Sequence, residues 1–338
     1  MRIGNNPNKD KKQNPSEYNH QVIIPVYIPN EEGYFKDSFK IFQICLESLV
    51  NTVHSKTFIT VVNNGSCPEI FSYLNKALVQ KKIHEVIHTE NIGKLNAILK
   101  GLAGNEIKLV TITDADILFL PNWQSETIRI FNSFPKAGVV GLIPQFKLFG
   151  SCCGNLIFDN FFSNKLKFTD VINTNALIKY YESIGWERNY NQNYLLKNLT
   201  ITSNSYSAIV GSGHVVATYH KCLFKNMTSF INAQLGANSE SYLDEAPLKK
   251  GLWRLTTQDN FAYHLGNLIE PWMEEEINSS NKIALENGQL NSYIRVNKIT
   301  KLNYFIKTRL FVKVFSNKFF RKLFYKYKGL PKEMIDHY

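Results

Sequence analysis

Hydrophobic positions in the first third of the chain fall into short unbroken runs, separated by stretches with helical spacing. Gln21–Tyr27 (QVIIPVY), Phe58–Val62 (FITVV), Glu85–His88 and Ile107–Thr113 (IKLVTIT) are of strand length. Between the first two, positions 37–53 carry apolar residues at Phe39, Ile41, Phe42, Cys45, Leu46, Leu49 and Val50, the spacing of one helix face. Glu69–Gln80 and Lys94–Leu102 repeat that pattern. Strands alternating with helices predict βαβ units and a mostly parallel sheet. The loops IPNEEGY, NNGS and DAD follow strand ends, where open sheets of this kind place their ligands. Beyond Pro121 the regularity is lost. Gly211 and Gly213 open one further strand-like segment, His214–Tyr219.

Composition changes this picture in two ways. Hydrophobic residues make up 44% and aromatics 13%, which supports a real core. The formal charge is +11, but nine Lys or Arg and no Asp or Glu lie between Lys301 and Lys328. The body of the chain is therefore near neutral, which argues against a nucleic-acid partner. Five cysteines without CxxC spacing argue against a disulfide framework or a zinc site. The first nineteen residues read as a disordered polar tail without the apolar core of a signal peptide. No apolar run is long enough to span a membrane. These features predict a cytoplasmic protein, in which the sequons at Asn64, Asn198, Asn226 and Asn278 are chance matches. A P-loop and GxGxxG are both absent, so a dinucleotide-dependent oxidoreductase has no support.

Candidate chemistry centres on Asp114-Ala115-Asp116, directly after the fourth strand. Two carboxylates at i and i+2 of an extended chain point the same way, roughly 7 Å apart. Their repulsion is relieved by a divalent cation, and Mg²⁺ or Mn²⁺ commonly takes one or two protein carboxylates plus substrate phosphates. The competing reading is a solvated aspartate turn.

The ordered set IIPVYIPNEE, VVNNGS, ENIGKLNAI and TITDAD resembles the nucleotide-sugar half of the family 2 glycosyltransferases. YLDEAPLKKGLWRLTTQDNFAYHLGN is similar to that family's acceptor-side segment. The resemblance implies an α/β GT-A (Rossmann-like) fold with a mostly parallel central sheet flanked by helices and a basic helical C-terminal extension. It divides the chain into a tail (1–19), a GT-A domain (20–275, with a donor half 20–120 and an acceptor half 121–275) and a C-terminal segment (276–338). The activity implied is metal-dependent inverting transfer from a UDP-, GDP- or dTDP-sugar to a glycan or lipid-linked acceptor, in bacterial cell-surface glycan synthesis.

By position, the resemblance puts Pro25, Val26, Tyr27 and Glu31 near the base and ribose. Lys94, Asp114, Ala115 and Asp116 fall near the diphosphate. Asn64 stands where the family often has an Asp that contacts the base. Asp114, Asp116 and His264 are the implied ligands of Mn²⁺ or Mg²⁺. An inverting transfer needs a general base; the candidates are Asp244, then Glu245, then Glu240. The rivals are a nucleotidyltransferase, disfavoured by the acidic IPNEEGY loop, and a catalytically inactive GT-A-like binding module.

The basic stretch Lys301–Lys328 suggests a further partner, an anionic membrane surface, with the protein peripheral at the inner face of the cell membrane. At about 100° per residue, Phe319, Phe320, Leu323, Phe324 and Tyr327 fall on one arc. Lys318, Arg321, Lys322, Lys326 and Lys328 lie opposite, the layout of an interfacial helix. The alternative is a helix whose aromatic face covers the protein's own core.

Overall fold

The computed structural model describes residues 4, 6, 9–12, 14–203, 206–225, 230–232, 240–279, 290 and 299–338. Parts of the expected N-terminal tail and of the 276–338 segment, and the Asn226 sequon, lie outside the described residues. The expected alternation is present: β1 (His20–Val26), α1 (Ser38–Thr52), β2 (Thr57–Asn64), α2 (Pro68–Val79), β3 (Glu85–Thr89), α3 (Lys94–Leu102) and β4 (Leu109–Thr113). β1 lies between β2 and β4, with β3 outside β2, and all three pairings are parallel. β1, β2 and β4 are buried almost throughout, which is why they read as apolar runs rather than alternating ones.

The rest of the chain extends this sheet. It adds β5 (Ile117–Phe119), α4 (Trp123–Ser133), β6 (Ala137–Gly141), α5 (Gly154–Asp159), β7 (Leu166–Asp170), α6 (Thr174–Ser183), β8 (Lys197–Ser203) and β9 (Tyr206–Val210). Then come β10 (Val216–His220), α7 (Ser241–Lys249), β11 (Trp253–Thr256), β12 (Ala262–His264) and α8 (Pro271–Ser279). The ten-stranded order is β3-β2-β1-β4-β10-β6-β11-β9-β8-β7, and β5 pairs separately with β12. β10 runs antiparallel between β4 and β6, and β7, β8 and β9 form an antiparallel meander at the far edge. The sheet is therefore mixed, with its parallel half at the N-terminal side.

The C-terminal stretch is helical, as its periodicity predicts. α9 (Lys301–Phe305), a π-helical turn (Ile306–Leu310), α10 (Phe311–Phe315), α11 (Lys318–Tyr327) and α12 (Lys332–Ile335) follow one another. Asn317 caps α11, its side-chain oxygen accepting from the amides of Phe319 and Phe320. Phe324, Tyr325, Leu330, Met334 and Tyr338 are buried in one cluster with Phe149, Phe168 and Leu199. Of the expected aromatic face, Phe324 is buried in the protein's own core, whereas Phe319, Leu323 and Tyr327 stay exposed.

A buried polar network underlies the first strand. His20 Nδ1 accepts from Gln124 Nε2 at 3.0 Å, which leaves its Nε2 to donate to Thr111 Oγ1 at 2.7 Å. Both ring nitrogens are used by a neutral imidazole. Burial holds His20 at a pKa of about 3 and His220 at about 4, against an ordinary value of 6.5. The unfolded chain takes up these protons as pH falls below 6.5, and the folded chain does not. Stability is therefore complete above pH 6.5 and is lost on descent towards the folded values, with a slope of about 1.4 kcal/mol per pH unit for each fully coupled group. Denaturant melts at neutral pH and near pH 5 should show a clear drop; identical midpoints would contradict this assignment.

Candidate active site

The C-terminal ends of β1, β2 and β4 open onto a cavity of about 500 Å³. Its walls include Pro25, Val26, Tyr27, Asn64, Lys94, Asp114, Ala115 and Asp116. These are the donor-side candidates read from the sequence, with one difference: Glu31 is exposed on the loop after β1 and is not part of the lining.

Local sequence explains how the walls are held. Gly65 has a φ of +85°, and a Cβ there would stand 2.7 Å from the Asn91 amide nitrogen. The turn after β2 therefore sits directly on the loop before α3. Asn64 ties the two together. Its Oδ1 accepts from the Ile92 amide at 2.9 Å, and its Nδ2 donates to Asn91 Oδ1 at 3.4 Å. An Asp at this position would keep the first bond and lose the donor of the second, a structural reason for Asn here. Lys94 is the first residue of α3, and its ammonium meets Asp114 Oδ1 at 2.5 Å. Burial opposes that charge, but Asp114, with Glu240 and Asp116 behind it, raises the Lys94 pKa above the ordinary lysine value.

The two aspartates do not lie in extended chain as the sequence spacing suggested. The backbone turns at Ala115–Asp116 between β4 and β5. The turn leads Asp116 into the small β5–β12 sheet, where His264 pairs with Ile117 and the Leu265 amide donates to the Asp116 carbonyl. His264 Nε2 then lies 3.4 Å from Asp116 Oδ2. On its other side, His264 Nδ1 is 2.8 Å from Ser183 Oγ. The Ser183 hydroxyl spends its one hydrogen on the Tyr180 carbonyl, so it accepts from His264 Nδ1. In the neutral ring, Nε2 therefore turns its lone pair towards a carboxylate oxygen.

The other Asp116 oxygen, Oδ1, is shut off from solvent without a hydrogen-bond partner, although the side chain as a whole remains 33% exposed. Burial pushes the Asp116 pKa above the ordinary carboxylate value; His264 opposes that shift and Asp114 adds to it. An unpartnered carboxylate oxygen, with an imidazole lone pair facing the other oxygen of the same group, fits a cation held by Asp116 and His264. Among the described residues, no three His, Cys, Asp or Glu side chains form a complete metal cage. A cation here would draw its remaining ligands from diphosphate and water.

The three candidate bases are placed differently from one another. Asp244 Oδ1 accepts from Arg254 Nη1 at 2.6 Å, and the Asp244 carbonyl accepts from the same guanidinium, which is buried and also donates to the Ser212 carbonyl. Glu245 pairs along α7 with Lys249 at 3.2 Å on a partly exposed face. Glu240, just before α7, meets His214 Nε2 at 2.8 Å. The hydrogen bond between them raises the His214 pKa and lowers that of Glu240. Tyr180, whose ring centroid lies 6.0 Å from that of His264, feels the charge of both Glu240 and the aspartates. Burial pushes its phenol up to about 12, and the charges of Asp114, Asp116 and Glu240 all add to the shift.

Several lining residues escaped the sequence reading. Tyr34 and Phe35 form an aromatic lip with Tyr27, with ring centroids 5.2 and 6.1 Å apart along the series. Gly266 and Asn267 reach the cavity because β12 carries them there, and the Asn267 amide donates to the Tyr34 carbonyl at 3.3 Å. The aromatic in IPNEEGY was a usable signal; nothing local marked the other three.

A parallel sheet whose strand ends open onto a cavity holding two aspartates and a lysine places that cavity where open α/β sheets bind their ligands. Residues 21–177 match the model of glycosyl transferase family 2. No curated protein matches the chain. Among solved structures, S. aureus TarS shares 15% identity over 77% of this chain and 38% of its own, with a TM-score of 0.43. TarS 1–349 in complex with UDP-GlcNAc shares 12% over 91% and 70%, with a TM-score of 0.45. The mannosyltransferase PcManGT from Pyrobaculum calidifontis, in complex with GDP-Man and Mn²⁺, shares 16% over 75% and 59%, with a TM-score of 0.42. The chain thus spans well under two thirds of the full TarS chain.

Proposed function

We propose that this protein transfers a sugar from a nucleoside-diphosphate sugar to an acceptor hydroxyl with inversion, assisted by Mn²⁺ or Mg²⁺. The observation that carries the reading is Asp116, a lining residue of the cavity of about 500 Å³, one of whose carboxylate oxygens is buried without a partner. Tyr27 and the β1–β2 strand ends are the proposed base and ribose wall. The N-terminal turn of α3, with Lys94, is the proposed diphosphate wall. Asp114, Asp116 and His264 are the residues that would hold the cation, which when bound neutralises charge on the departing diphosphate. Lys94 leaves Asp114 for the phosphate as the donor binds.

The acceptor hydroxyl must lose its proton as it attacks the anomeric carbon. We assign that proton to Glu240 rather than Asp244. Glu240 shares its electrostatic surroundings with Lys94 and the aspartates, and unlike Asp244 it is not paired with a buried guanidinium. His214 holds the carboxylate in place. Asp244, engaged by buried Arg254, serves instead to fix α7 against β11. A lipid-linked or glycan hydroxyl is the proposed acceptor. A panel of UDP-, GDP- and dTDP-sugars incubated with Mn²⁺ should show release of one nucleoside diphosphate, abolished by chelator. Release of none, or release indifferent to chelator, would count against the proposal.

A further inference from the structure

We infer that the outer faces of α9, α10 and α11 dock this protein onto an anionic lipid surface. The inference does not depend on the transfer chemistry, since these faces share no residue with the cavity. On α11, positions four apart form neighbouring rows offset by about 40° per step. One row is Phe319, Leu323 and Tyr327, exposed at 73%, 50% and 55%. The row beside it is Lys318, Lys322 and Lys326. The opposite side turns inward: Phe324 is buried, and Phe320 stacks on Phe161 at 5.7 Å. The structure therefore divides the aromatic arc read from the sequence, half on the core and half in solvent.

The cations divide as well. Lys328 is only 3% exposed and donates to the carbonyls of Ser163 and Asn160, so it leaves the basic face. Lys322 pairs with Asp336, and Lys307 with Asp159. Lys301, Arg309, Lys313, Lys318 and Lys326 remain exposed. Interleaved with them on α9 and the π-helical turn, Leu302, Phe305 and Leu310 are exposed at 67%, 54% and 50%.

Large apolar side chains left in water beside a row of cations match the boundary between acyl chains and anionic headgroups. A second copy fits poorly, because a two-fold contact would press this acid-free basic stretch against itself. Nucleic acid would meet the cations but leave the Phe319 row unburied. No helix among the described residues is long and apolar enough to cross a membrane, so the contact is with the surface.

The test is sedimentation of the full chain with phosphatidylcholine vesicles, with and without phosphatidylglycerol, at low salt. Wild-type protein should partition onto the phosphatidylglycerol vesicles about 10-fold or more better than onto neutral ones. Phe319→Ser with Leu323→Ser, and separately Lys318→Gln with Lys326→Gln, should each weaken that binding about 10-fold while thermal melting stays unchanged. No binding to anionic vesicles, equal binding to both vesicle types, or full binding by both variants would overturn the inference. So would a concentration-dependent dimer that the serine variants abolish.

Discussion

Asp116→Ala should reduce sugar transfer by at least about 10³-fold and remove the metal dependence of nucleoside-diphosphate binding, while the protein stays folded. The magnitude follows from losing several kcal/mol of charge stabilisation at the departing diphosphate. Retained folding follows from the site itself. The side-chain oxygen Oδ1 bonds to nothing, and only the backbone carbonyl of Asp116 serves the β5–β12 connection. Removing a partly desolvated carboxylate whose one oxygen is unpartnered and whose other meets only the His264 ring should change stability little. Paired measurements of turnover and thermal melting check both halves. A variant that unfolds, or one that turns over normally with its metal requirement intact, would contradict this account of Asp116.

Glu240→Gln should lower turnover by on the order of 10²–10⁴-fold with little change in donor affinity, the signature of a lost proton acceptor. Glutamine keeps the size of the side chain and an oxygen to meet His214, so packing is little disturbed. Asp244→Asn makes the contrasting case. It removes the charge facing buried Arg254, and so should lower the melting temperature more than it lowers the specific activity of the folded fraction. Steady-state kinetics with melting curves on both variants separate the roles. A Glu240→Gln enzyme with near-normal turnover would return the role to Asp244.

The fold was legible where strands are buried on both faces. β1, β2 and β4 stand out because no polar alternation interrupts them. β5, β11 and β12 did not, being three or four residues long and set by their partners rather than by a pattern of their own. The antiparallel β10 explains the loss of regularity after Pro121: once it enters beside β4, the chain no longer repeats a βαβ unit. The cavity wall was legible because Pro25 to Tyr27, Asn64 and the DAD turn all sit at strand ends. The pairing of the acidic residues was not, because rank along ESYLDEA says nothing about partners. Arg254 claims Asp244 from a strand ten residues on, and His214 claims Glu240 from the β9–β10 loop. On α11, helical phase predicted the aromatic arc, but only tertiary packing on Phe161 decided which half of it was covered.

The central claim is that the cavity at the ends of β1, β2 and β4 binds a nucleoside diphosphate through a cation at Asp116. Calorimetric titration of UDP, GDP and dTDP into the wild-type protein, with Mn²⁺ and then with chelator, tests it most directly. The account predicts saturable one-site binding of at least one nucleotide in Mn²⁺, weakened by about an order of magnitude or more in chelator. Binding of none of the three in Mn²⁺, or equal affinity with and without the metal, would contradict it.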